Sequence, residues 1–181
     1  MATSTTQELV VLLDYAHERL RDRIAGMSDH EYLWEPAPGC WSVRTGQDGV
    51  ARVDLDRDAP EPPPLTTIAW RLWHIADCLR SYTDRAFETQ ATPGPGLDWT
   101  TSPVAAAAVV DSEWDRFVGH VRKLDQEALE RPIGPAFGPY AQDSMHALVL
   151  HATDEVIHHG AEVALLRDLY RVTGGRELTG K

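Results

Sequence analysis

Cysteine is scarce in this 181-residue chain: Cys40 and Cys78 are the only two, and they lack the CxxC spacing of a redox or zinc-ribbon motif. A disulfide framework is excluded, and a reducing cytoplasm is the expected setting. Clustered positive charge is missing as well. Of 17 basic residues 15 are Arg, scattered along the chain, against 28 acidic residues and a formal net charge of −11. Nothing here neutralises a row of adjacent phosphates, so nucleic acid is not an expected partner. Long apolar runs are absent: none approaches the roughly 18 residues of a membrane span, and no basic segment precedes an apolar one at the start. Neither a membrane span nor a secretory signal is expected. What remains is ordinary globular usage, 43% hydrophobic and 25% charged, at a length that fits a single domain over 1–181.

Apolar residues recur with helical spacing in four stretches. Leu9, Leu12, Leu13, Ala16, Leu20 and Ile24 follow the capping signal Thr5-x-x-Glu8, predicting a helix over about 6–25. Thr66 or Thr67 caps a second, through about 88, rich in Trp70, Leu72, Trp73, Ile75 and Leu79. Ser102-Pro103 opens a third over 105–121, and a fourth runs over about 142–172 to a C-cap at Gly174-Gly175. Residues 26–65 hold six of the 12 prolines and four of the 13 glycines and form a long connection, in which 49–55 alternates well enough for one short strand or hairpin arm. The expected fold is all-α: a four-helix bundle with a long crossover loop between helices one and two that carries a short hairpin. Bundles of this kind build metal and cofactor sites from side chains on facing helices.

Four of the eight histidines, His146, His151, His158 and His159, fall on the last helix. On a wheel stepping about 100° per residue, Asp154, His158, His151, Glu162 and Glu155 occupy about 100° of arc. Leu165 and Leu169 extend that arc as an apolar face, and Arg167 and Asp168 fall outside it, toward expected solvent. Buried His and carboxylate groups are costly unless paired or bound to a metal. Asp154 and His158, at i and i+4, let a carboxylate and an imidazole converge on one cation, as two histidines do in H-E-x-x-H helices. Glu155 and His159 have identical spacing, and spacing does not choose between the pairs. A third ligand is expected from helix two, whose one histidine is His74; Cys78, four residues on, is a soft ligand or a small core residue. The competing reading is a polar network without a metal, at a solvated face or a dimer contact. His17, His30 and His120 lack such company and are expected at the surface. Trp34, Trp41, Trp99 and Trp114 are expected as core or loop anchors, with a cover at the site mouth as the alternative for Trp41 in the long loop.

The segments 67–77 (TIAWRLWHIAD) and 150–170 (LHATDEVIHHGAEVALLRDLY), with 34–44 around Cys40-Trp41, resemble the DinB-like superfamily of bacterial four-helix bundles. That resemblance implies a divalent metal held by a helix-two histidine and a His-x3-His pair whose second member precedes a Gly by two residues. Aligned on Gly160, the ligands are His74, Asp154 and His158, with a carboxylate in place of the first histidine of the pair. The substitution is similar to the branch that includes mycothiol-dependent maleylpyruvate isomerase.

The resemblance further implies Zn²⁺ or Ni²⁺ with open coordination positions. It also implies a low-molecular-weight thiol such as mycothiol or bacillithiol as co-substrate, and S-transfer to, or isomerisation of, a small electrophile. His151, Glu155 and His159 are the candidate catalytic residues, the histidines as acid/base groups and Glu155, with Glu162, orienting ligands. Arg44, Arg71 and Arg80 are candidates to receive an anionic thiol. Metal-assisted hydrolysis and a non-catalytic ligand-binding or stress-response role are the alternatives. A small molecule is the expected partner, with homodimer formation a further expectation.

Overall fold

The computed structural model describes residues 4–56, 61–88 and 97–178. Its helices start where side-chain oxygens can cap them. Helix α1 (Thr5–Ile24) is capped by Ser4, whose hydroxyl accepts from the Gln7 amide while the Gln7 side chain accepts from the Ser4 amide. This reciprocal box lies one residue before the Thr5/Glu8 signal. A one-turn helix α2 (Asp29–Tyr32) follows, then a hairpin of β1 (Val43–Thr45) and β2 (Ala51–Val53), antiparallel with Val43 opposite Val53. The expected strand is thus one arm, and its partner is 43–45.

Thr67 caps α3 (Ile68–Ala86), and Ser102 caps α4 (Pro103–Val121), with Pro at the first position. After the short α5 (Gln126–Glu130) and a 3-10 turn at Pro135–Tyr140, Ser144 caps α6 (Met145–Thr173). Gly174, at φ 64°, ends it in the left-handed conformation that glycine adopts without a Cβ penalty.

The four long helices close a ring, α3 against α4 and α6, and α1 against α6 and α4. Leu13, Leu72, Ile75, Phe117 and Val149 fill its centre. A smaller cluster of Ile133, Phe137, Met145 and Leu148 sits beside it, under the 3-10 turn. No described helix is long and apolar enough to cross a membrane.

The orientation of α6 differs from the expectation. Its buried side is Leu148, Val149, Ala152, Val156, His159, Val163 and Arg167, while Leu165 is 58% exposed. Arg167, expected in solvent, is buried because each guanidinium nitrogen has a partner: Nε is 2.7 Å from Glu31 Oε1, Nη2 is 3.1 Å from Glu31 Oε2, and Nη1 donates to the carbonyls of Arg23 and Ala25. His17 is a second correction. It is buried in the α1/α4 contact, stacked 4.5 Å from Trp114, with Nε2 2.8 Å from Asp111 Oδ1. His30 is exposed as expected, whereas His120 is half-buried against Phe87.

Candidate metal centre

Helices α3 and α6 face each other along two stripes of polar residues. Arg71, His74 and Cys78 recur on α3, and His151, Glu155, His159 and Glu162 on α6, at the three- and four-residue spacings that keep side chains on one helix face. Where the stripes meet, Glu155 Oε2 lies 3.1 Å from His74 Nε2 and 3.1 Å from His159 Nε2. These three ligand atoms lie within 4.8 Å of one another.

Of the residues singled out in the sequence, His74 is therefore joined by Glu155 and His159, not by Asp154 and His158. Asp154 is exposed, and the His158 side chain is 61% exposed, 3.5 Å from Glu162 Oε1. A one-residue step along a helix turns a side chain by about 100°, so only one of two adjacent i, i+4 pairs can face a given neighbour. His151 is largely exposed at the edge of the site, with Nε2 3.5 Å from Glu155 Oε1.

The surroundings orient the three groups. His159 Nδ1 lies 2.6 Å from Glu162 Oε2, which directs Nε2 toward Glu155 and His74. Arg71 Nε is 3.0 Å from the same Glu162 oxygen. The His74 ring stacks on Trp70 at 5.1 Å and 12°. Trp70 Nε1 donates to the Asp54 carbonyl, and Trp41 packs on Trp70, so the crossover loop covers the back of His74. Trp41 is one ring removed from the site rather than at its mouth. Trp34, Trp99 and Trp114 are buried as anchors.

The electrostatics follow from this packing. Hydrogen bonds from His159 and His74 hold the Glu155 carboxyl well below the usual carboxylate range. Burial works to lower His159, but its bonds to Glu155 and Glu162 outweigh it and leave the pKa raised. Burial likewise opposes ionisation of Glu162, yet His159 and Arg71 hold its carboxyl below the ordinary value. Burial, then the charges of Glu155 and Asp77, pushes the Cys78 thiol up to about 12. Its sulfur is 3.6 Å from His74 Nε2 and 4.0 Å from Glu155 Oε2.

The donor set suits a divalent cation. Two ligands each about 2.1 Å from one ion, at tetrahedral to octahedral angles, are about 3.0–3.4 Å apart. Both Nε2 to Oε2 separations fall in that range. Two imidazoles and one carboxylate match Zn²⁺ or Ni²⁺ chemistry.

Residues 50–163, more than half of the chain, match the DinB superfamily. The chain belongs to the DinB superfamily. Among solved structures it resembles a conserved protein from Enterococcus faecalis, at 18% identity and a TM-score of 0.57, over 93% of this chain and 98% of that one. That likeness extends the fold over nearly the whole length of both proteins. No curated protein matches the chain.

The three arginines considered for anion recognition are all engaged by carboxylates. Arg44 pairs with Glu35 and Asp54, Arg71 with Glu162, and Arg80 with Asp77 and Asp84.

Proposed function

We propose that this DinB-superfamily protein is a divalent-metal-dependent enzyme. In this reading it acts on a small electrophile with a low-molecular-weight thiol as co-substrate, as an S-transferase or isomerase. The observation that carries the reading is the convergence of His74 Nε2, Glu155 Oε2 and His159 Nε2 from two facing helices. With three protein ligands, the fourth and further positions are left to water or substrate, the arrangement of catalytic rather than structural sites. The thiol is the element drawn from the family resemblance.

In this assignment His74, Glu155 and His159 hold the ion, and a bound Zn²⁺ or Ni²⁺ supplies the Lewis acidity that lowers a thiol's pKa. Glu162 and Arg71 both meet His159 at Nδ1, at 2.6 and 3.3 Å, which leaves Nε2 to face the ion, and Arg71 balances the Glu162 charge. Trp70 and the crossover loop exclude water behind His74. His151, exposed beside Glu155 Oε1, is placed to exchange a proton with substrate on the open side. Free Cys40 and Cys78 fit a reducing compartment.

Elemental analysis of the purified protein and its single variants tests the assignment. Near-stoichiometric first-row metal, lost in His74→Ala and His159→Ala but kept in Asp154→Ala and His158→Ala, is the expected result. Failure to bind Zn²⁺ or Ni²⁺ after incubation overturns it and leaves a His–Glu–His network as the role of these residues.

A further inference from the structure

The α3 stripe continues past the metal centre. After Cys78 come Tyr82 and Arg85, again at spacings of four and three, and the ring of Tyr82 lies 5.8 Å from that of His151. A cleft of about 490 Å³ opens here between the end of α3, the start of α6 and the 3-10 turn. Tyr82, Phe137 and Leu148 supply apolar walls, and Arg85, His151 and Asp143 the charged and titratable groups. Volume and lining fall in the range of small-molecule sites. His151 links the cleft to the metal centre, because its Nε2 is 3.5 Å from Glu155 Oε1.

Arg85 is the unusual member. Its guanidinium lies over the Phe137 ring at 4.4 Å and near the Tyr82 ring at 5.9 Å. Its two hydrogen bonds, to the Ser81 and Ala136 carbonyls, are long at 3.3 and 3.4 Å. No ion pair to a carboxylate is found for it among the described residues, although Arg80 on the same helix has two. In a chain of net charge −11, a half-buried, aromatic-bedded guanidinium without a carboxylate partner suits an incoming anion. Asp143, exposed on the same cleft, disfavours a second negative charge.

We infer that this cleft binds the electrophilic substrate, as a small monocarboxylate with an aromatic or otherwise flat apolar body, and that Arg85 receives the carboxylate. The inference rests on the metal-site reading above for its chemistry, while the binding itself stands on the cleft. Along α3, Arg85 is eleven residues from His74, a rise of about 16 Å. A ligand anchored at Arg85 therefore extends its far end past Tyr82 and His151 toward the metal, and reach selects elongated carboxylates over compact ones.

The probes are 3-phenylpropanoate and its neutral analogue 3-phenyl-1-propanol, titrated into the full chain and followed by NMR. The acid is expected to shift resonances of Tyr82, Phe137 and His151 and to bind about tenfold more tightly than the alcohol. Arg85→Gln is expected to remove that preference without changing alcohol binding, and Arg85→Lys to restore part of it. Equal affinity for acid and alcohol, or shifts elsewhere, overturns the inference. The same titration in His159→Ala separates the two readings, since carboxylate binding there is expected to persist without metal. In Co²⁺-loaded protein, paramagnetic broadening of the phenyl protons is expected; bound probe that is not broadened refutes the adjacency of cleft and metal.

Discussion

His159 Nδ1 and Glu162 Oε2 lie 2.6 Å apart, three residues apart on α6, so one carboxylate sets which imidazole nitrogen faces His74. The bond is local, within a single helix turn, and Arg71 from α3 braces it at 3.0 Å from the same oxygen. Glu162→Gln weakens this bond while keeping its shape. The expected outcome is a loss of about 10–100-fold in Zn²⁺ or Ni²⁺ affinity, with helix content unchanged. Competition with a chromogenic chelator measures it, and an affinity within twofold of wild type contradicts the orienting role.

Cys78 lies near His74, and burial pushes its pKa up to about 12, which raises the cost of the thiolate that a metal would need. Cys78→Ser is expected to leave metal stoichiometry unchanged, and Co²⁺-loaded wild type to lack an intense thiolate charge-transfer band. Such a band, lost in the variant, would instead make the sulfur a fourth ligand.

His17 gives a pH dependence of stability. Burial, only partly offset by Asp111, lowers its folded pKa below the ordinary histidine value of about 6.5. As pH falls below about 6.5 the unfolded chain takes a proton that folded His17 still refuses, so the unfolded state gains. The contribution is complete above that value and is lost as pH falls through the lowered folded pKa. Thermal melts of wild type and His17→Gln between pH 7.5 and 5.5 check it. Wild type is expected to lose Tm relative to the variant as pH falls, and a constant difference excludes the mechanism.

The Arg167–Glu31 pair is buried, with side chains 6% and 7% exposed. Arg167→Met leaves Glu31 without its cation and is expected to cost about 3–5 kcal/mol in urea unfolding. Adding Glu31→Leu removes the stranded charge and is expected to recover a large part of that loss. A single variant as stable as wild type would show that the pair is incidental to stability.

Most of the bundle was legible from local chemistry. Ser102-Pro103, Thr67 and Gly174 end helices by satisfying backbone groups that any helix terminus leaves open, and such groups act within a few residues. The hairpin was half legible, because 51–53 alternates while its partner 43–45 is specified by pairing across the loop. Arg85 escaped notice in the sequence, since nothing local distinguishes an arginine on Phe137 from one in solvent.

The sequence by itself determined the helices, the facing position of His74 and the concentration of His and carboxylate on α6. Only the tertiary structure decided which of two equally spaced pairs meets His74. That choice depends on the rotation of α6 about its axis, and one residue changes it by about 100°. Leu165 and Leu169 suggest one rotation; Glu31, on the distant α2, imposes another by giving Arg167 a buried partner. Glu155 and His159 then turn toward α3, and Asp154 and His158 toward solvent.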